Sequence, residues 1–484
     1  MSAWRILIIA IGMMLFCAPL GNRVLLAAVF NVDNATDFQN ALTTAATNDQ
    51  DDTINVAAGE CDISTTLIYF TPDGDGGHTL TIQGAGRDQT ILDGGDNGQV
   101  MSIGTDSDLN GGDNGGNILI RDLTIRRANS SGNGSGSWIK TVEADITIDN
   151  CTFSNNKITS SGFGAGVFIR SGSGTVTLSN SLFDANLNSS ASLSGGGAYL
   201  SSDSGNIYIS NNTFSRNSAS AGSGGAFSAS TSTDLAGHIA VSGNVVSGNT
   251  VNGGGAVVIS SSTGDITVTN NIISGTTGGS GLSVGTNGVD SMVRIINNTI
   301  TNNTTPNYGG GLAITLWDDT ASVDIYNNII YGNTANFGGL DGDDVYINPD
   351  LNGNDTGASV RLYNNDLSGN AVFAEASDSN PGNGILESED LYITDVDNYS
   401  YGSNIQTDPL FIAPASGNFH LQPTSPCIDA GDNNAPAVPA TDIDGNTRPV
   451  DGDADGTATV DLGAYERREP THGLPAILYQ LLFS

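Results

Sequence analysis

Two groups of residues in this sequence have types and spacings that suggest chemistry. The first lies towards the C-terminal end. Asp451, Asp453, Asp455 and Gly456 follow the 1, 3, 5, 6 spacing of an EF-type calcium loop, with Leu462 at position 12 and Asp461 one place early. Just upstream, Asp442, Asp444 and Asn446 repeat an i, i+2, i+4 pattern of side-chain oxygens. Carboxylates this dense repel one another unless a cation lies among them, and Gly445, Gly452 and Gly456 allow the tight turns a hard cation needs. The expectation is a structural calcium ion held by Asp442, Asp444, Asn446, Asp451, Asp453, Asp455 and Asp461.

The second group follows glycine pairs in the middle of the chain. In "GAGVFIR", "GGAYL" and "GGAF", a strand whose first residue after the last Gly points inward sends the next one outward. That rule places Phe168, Tyr199 and Phe227 outward on successive repeats, with Arg170 beside Phe168 and Trp138 and Lys140 one repeat earlier. Aromatic rings with a few cations on a flat sheet can stack on the C–H faces of sugars. Hydrolysis would need two clustered carboxylates, and lyase chemistry a positioned cationic base. The spacing assembles neither, so no catalytic residue is named. The reading is a non-catalytic surface that binds glycans or other partners, set against a lyase or hydrolase acting on acidic polysaccharide.

The elements that carry these residues repeat. Short β-branched runs such as "DITIDNCTF", "NIYISNNTF", "DITVTNNII" and "VDIYNNIIY" recur from Asn117 to about Gly369. The apolar residue after each polar pair (Ile125, Phe153, Phe183, Phe214, Val246, Ile273, Ile300, Ile330, Leu367) returns every 27 to 37 residues. Alternating Val, Ile and Thr bounded by Gly, Asn and Ser is strand chemistry, and no helical segment separates the runs. Strands that cannot form βαβ units must stack on their counterparts one repeat later. The predicted fold is all-β: a right-handed parallel β-helix with three strands per coil and about ten coils. Asn211, Asn270, Asn297, Asn327 and Asn364 are expected at left-handed corners, stacking their side-chain amides along the axis.

Composition agrees with an extracellular protein. A net charge of −36 argues against nucleic acid and anionic membrane surfaces and favours divalent cations. Trp4-Arg5, an apolar run from Ile6 to Phe16, and Leu26-Ala27-Ala28 before Val29 give the order of a bacterial signal peptide over 1–28. The mature chain is expected to be secreted or at the cell surface, without a membrane span, and monomeric. Cys61, Cys151 and Cys427 are far apart and odd in number, which suits small buried side chains rather than disulfides.

Along the chain, 29–78 reads as an N-terminal cap and first coil. Within it, Thr36 to Asn48 forms a short helix that starts with a Thr36–Gln39 capping pattern. The β-helix spans 79–403, with 371–403 irregular, and 469–484 is a tail too short in apolar residues to span a bilayer. The coils resemble pectate-lyase-like right-handed β-helix proteins, whose second short turn carries an Asn ladder. The segment 404–468, with "DPLF", "FHLQPTSPCIDAGD", "DIDGNTRP" and "VDLGAYE", resembles the bacterial choice-of-anchor Q domain. That resemblance implies export and a sorting or anchoring signal; a polysaccharide or cell-surface partner is expected.

Overall fold

The computed structural model describes residues 27–71, 74–105, 115–190, 194–232, 237–318, 320–337, 342–349, 358–371, 384–387, 389–396 and 398–468. The leader and the tail therefore lie outside the described residues, apart from Ala27 and Ala28. No described helix is long and apolar enough to cross a membrane. The chain coils into three long parallel sheets of 13, 12 and 11 strands. The first sheet runs from Ala28–Val32 to Asn398–Gly402 and the third from Gly59–Asp62 to Asp366–Leu367. The second runs from Leu67–Phe70 to Leu391–Val396, ending in one antiparallel strand, Gly384–Glu387. Segment 371–403, expected to be irregular, thus supplies the last strands of the first and second sheets.

Register follows the apolar periodicity of the sequence. Phe153, Phe183, Phe214, Val246, Ile273, Ile300, Ile330 and Leu367 lie in one column of the third sheet. All point inward and are buried. The phenyl rings stack within that column, with centroids 5.0 Å and 4.8 Å apart. Three strands per coil is not the whole pattern. Two-residue strands, from Asn129–Ser130 to Thr250–Val251, form a minor fourth sheet, and Thr304–Thr305 pairs Thr334–Ala335 in the same way.

The helix Ala35–Ala45 closes the N-terminal end. It buries Phe38, Ala41, Leu42 and Ala45, and Asn34 rather than Thr36 is its N-cap, accepting from Asp37 N–H at 2.9 Å. Gln39 has a different task. Its side chain donates to Ile68 O and accepts from Ile68 N–H, both at 2.8 Å, and so occupies the edge of the second sheet.

The corners correct one expectation. Asn211, Asn270, Asn297, Asn327 and Asn364 do have positive φ, between 52° and 59°. The amide ladder, however, belongs to the next residue. Asn212, Asn244, Asn271, Asn298, Asn328, Asn365 and Asn404 hydrogen-bond side chain to side chain at 2.9–3.1 Å. The left-handed residue bends the chain from the first sheet into the third, and that turn aims the following side chain into the coil. A second ladder, unforeseen from the sequence, follows the third sheet through Asn156, Asn186, Asn217 and Asn249, and again from Asn303 to Asn333.

The outward asparagines of the later coils hold the C-terminal segment. Asn270 donates to Thr441 O at 2.6 Å, Asn297 to Asp461 O at 3.0 Å, Asn327 to Asp432 O at 3.1 Å and Asn364 to Ala430 O at 3.0 Å. Beside them Ile272 and Ile329 of the third sheet pack with Phe411, Phe419, Leu421, Ile428 and Leu462. The segment therefore lies along the side of the coils. Cys61, Cys151 and Cys427 are buried and free.

The ladder assignment makes a test. Asn298→Ala leaves Asn271 N–H without its acceptor, takes a donor from Val268 O and Ile296 O, and is expected to lower the unfolding free energy by roughly 2–4 kcal/mol. Asn297→Gly keeps the left-handed corner and should cost no more than about 1.5 kcal/mol. Urea denaturation of the two variants decides; equal losses would return the ladder to the first asparagine.

Candidate functional site

The outward row of the second sheet is fixed by strand pairing. Trp138 pairs with Phe168, Phe168 with Tyr199, and Tyr199 with Ser228; beside them Lys140 pairs with Arg170 and Arg170 with Ser201. Phe227 does not join this row. It pairs with Ala198, is fully buried, and lies 4.8 Å from Phe214 in the core. The reason is a one-residue shift in the glycine motif. Ala226 occupies the position of Gly166 and Gly197, so counting from the last glycine is off by one, which flips the face.

Trp138, Phe168 and Tyr199 stack along the axis, with centroids 6.4 Å and 5.5 Å apart and planes within 5°. Phe168 is consequently buried beneath its neighbours. A fourth ring joins from the preceding turn: Phe163 leans on Tyr199 at 4.5 Å and on Phe168 at 6.5 Å. Sequence reasoning missed it. Its signal is an aromatic residue directly before a left-handed glycine, here Gly164 at φ +64°, where a Cβ would meet Val167 O at 2.0 Å.

Ser102 precedes Trp138 in the row and is too small to continue the stack. A shallow depression of about 390 Å³ opens there, lined by Trp138, Ser102, Gln99, Ser130, Ser131, Gly132 and Asn133. Its amides are held in place. Gln99 Nε2 donates to Asn133 O and Gly134 O at 2.9 and 2.7 Å, and Asn133 Oδ1 accepts from Phe163 N–H at 2.9 Å. Among the described residues, Gln99 Oε1 and Asn133 Nδ2 remain as an acceptor and a donor beside an aromatic wall.

The charged groups are mostly engaged in pairs. Arg170, expected to act beside Phe168, is 3.3 Å from Asp203. Arg216 pairs with Asp184, Arg294 with Asp265 and Arg361 with Asp324, all between neighbouring coils. Burial works to raise the Asp93 carboxyl, but hydrogen bonds from Arg127, Gly95 and Arg126 hold it below the usual carboxylate range. Lys140 has no acidic partner among the described residues. No carboxylate occupies an outward position of the second sheet from Ile68 to Asn348 among the described strands.

The acidic residues of the C-terminal segment divide by role. Asp442 is buried and accepts from Asp444 N–H, Asn446 N–H, Asn446 Nδ2 and Glu466 N–H, which makes it a turn former. Asp444 meets His420 Nε2 at 2.8 Å, and the imidazole stacks on Tyr465 at 3.8 Å. Asp461 is buried, accepts from Asp429 N–H and Arg467 N–H, and is pushed up to about 7 by burial. Asp455 donates its N–H to Asp451 and Asp453. Asp451 and Asp453 instead come together with Asp429, their ligand oxygens within 4.8 Å of one another. Asp429 lies 22 residues before Asp451, so no local spacing could have pointed to it.

Comparison with known proteins agrees with the coil geometry. A family profile described as "Right handed beta helix region" matches residues 97–330. The fold is a right-handed parallel β-helix. Among solved structures, pectate lyase Pel9A is 16% identical over 91% of this chain and 96% of its own, with a TM-score of 0.46. The Azotobacter vinelandii mannuronan C-5 epimerase AlgE6 A-module is 15% identical over 78% of this chain and 100% of its own, at 0.40. The AlgE4 A-module of the same organism is 19% identical over 69% and 90%, at 0.35. No curated protein sequence matches the chain.

Two acids in the last coils are displaced by burial, and one of them, Asp366, meets the C-terminal segment. Asp344 ends the second ladder by accepting from Asn333 and also accepts from Ser368 N–H; Asp366 accepts from Cys427 Sγ and Thr407 N–H. Burial pushes both up to about 7. An acid whose folded value is raised binds its proton more tightly folded than unfolded. Its stabilising share is therefore complete below about pH 4 and is lost as pH climbs towards about 7. The urea midpoint should fall between pH 5 and 7.5, by roughly 1–4 kcal/mol of unfolding free energy. Asp366→Asn should flatten that slope; an unchanged slope in the variant would remove Asp366 as a cause.

Proposed function

We propose that this chain is an exported β-helix protein that binds carbohydrate, without catalysis, at the Trp138 depression of its second sheet. One observation carries the reading: an aromatic wall stands beside amides whose positions are fixed by backbone hydrogen bonds. Sugars are recognised by ring stacking together with paired donors and acceptors, and a rim held in place loses little entropy on binding. Tyr199 and Phe163 hold the wall from behind rather than meeting the ligand. Work outside the cell is supported by the leader-like order of residues 1–28 and by the high net negative charge.

Lyase or hydrolase chemistry finds less support. Lys140 is the one cation of this face with no acidic partner among the described residues, and no outward carboxylate accompanies it on the described strands. Incubation with pectate, alginate and glycosaminoglycans should release neither unsaturated nor reducing ends. A single positive substrate would reverse this part of the reading.

Trp138→Ala is expected to lower affinity for the bound glycan at least tenfold on a glycan array, with the far-UV spectrum and melting temperature little changed. A folded variant with the wild-type array profile would sink the proposal. We further assign Asp429, Asp451 and Asp453 to a structural divalent cation of the calcium class, since hard carboxylate oxygens suit it. Chelator should lower the melting temperature of wild type and leave Asp451→Asn unmoved; identical melts of the wild type with calcium and with chelator would count against the ion.

A further inference from the structure

The exposed face of the second sheet carries a second aromatic group, near its other end. Tyr308 stacks on Tyr346 at 4.7 Å, meets Phe337 at 4.4 Å and leans towards Tyr392 at 5.9 Å. Phe337 is 57% exposed and Trp317 40%. Trp317 lies over Gly285, where a Cβ would come within 2.5 Å of the indole, so a glycine is what lets the ring lie flat on the sheet. The local build repeats that of the first group. Tyr308 precedes Gly309 at φ +66°, as Phe163 precedes Gly164 at φ +64°.

The two groups share one row of the sheet. Pairing runs from Trp138 through Phe168, Tyr199, Ser228, Val258, Ser283 and Ala313 to Tyr346. Seven strand spacings separate the ends, about 34 Å. Between Tyr199 and Tyr346 the outward positions are small or aliphatic and uncharged, among them Ser230, Ser260, Gly285 and Thr315. The floor therefore offers neither a wall to stop a long ligand nor a cation to attract an anionic one. Arg170 is already paired with Asp203, and the whole chain carries −36. A polyanion would be repelled at long range and would meet, along about 34 Å of sheet, a single unpaired cation among the described residues, Lys140 beside Trp138.

We infer that this face takes a single linear, neutral polysaccharide laid along the coil axis and held at both aromatic groups. This rests on the glycan-binding reading above and adds the length and charge class of the ligand. Two weak sites joined by one polymer bind with an effective concentration set by the spacing, so the polymer should bind at least tenfold more tightly than a hexasaccharide of the same sugar.

Affinity electrophoresis through hydroxyethylcellulose, xylan, galactomannan and pectate, with titration calorimetry on the corresponding hexasaccharides, tests it on the full chain. Retardation is expected with a neutral polymer and not with pectate. The double variant Phe337→Ala, Trp317→Ala, altered only at exposed rings, should lose tenfold or more in polymer affinity while its hexasaccharide affinity stays unchanged. Trp138→Ala should lose both. Wild-type polymer binding by the double variant, or retardation by pectate equal to that by the neutral polymers, overturns the two-ended ligand and leaves the Trp138 site standing. Unchanged binding by Trp138→Ala overturns both, as does failure of every neutral polymer to retard the wild type.

Discussion

The buried side-chain amide at the corner of each coil is the interaction on which the rest of this structure depends. A parallel coil must turn between sheets, and the backbone N–H that follows each left-handed corner faces the interior, where the asparagine of the next coil accepts it. Asn298 shows the solution. Its Nδ2 donates to Val268 O, Ile296 O and Asn328 Oδ1, and its Oδ1 accepts from Asn271. Every polar atom of the side chain is thereby used in a site that excludes water, where an unmade bond costs most. The columns also show where the pattern weakens. Thr276 breaks the second ladder and leaves its buried hydroxyl without a partner, and Asp344 ends that ladder with a carboxyl shifted by burial.

Because the inner residue does the hydrogen bonding, the left-handed residue before it is released to face outward. In early coils Asn180 and Asn211 are exposed. In later coils Asn270, Asn297 and Asn327 are covered, and their amides bind the backbone of the C-terminal segment. One residue type at one repeated position thus serves as a corner in some coils and as a docking contact in others. What differs is the neighbouring outward side chain of the third sheet, where Ile272 and Ile329 give the segment an apolar floor.

The same logic underlies the proposal of a binding face on the second sheet. Arg–Asp pairs join coils of the first and third sheets, as Arg170 and Asp203 do beside the second, and the third is partly covered by the C-terminal segment. The second sheet presents rings at two ends and small uncharged residues between them. Its glycine turns matter here, since Gly164 and Gly309 let an aromatic residue fold back over the strand that follows.

Much of the fold was legible in the sequence. Ile125, Phe153, Phe183, Phe214 and their successors predict the register correctly because strand alternation has a period of two and one face must be apolar. The helix, the positive-φ asparagines and the buried free cysteines follow from equally local rules. Counting from glycine puts Phe227 on the wrong face because a single Ala for Gly shifts the count, and only pairing to Ala198 fixes which face it takes. Sequence spacing puts the ladder one residue early, since the direction of a side chain after a left-handed corner depends on the turn in space. Asp429 beside Asp451 and Asp453, Phe163 over Tyr199, and Asn297 against Asp461 join parts of the chain that no spacing connects. Sequence determines what is periodic, because each repeat answers the same local constraint. Contacts between a repeat and something that is not its copy are decided only when the coil closes and its outer faces meet the rest of the chain.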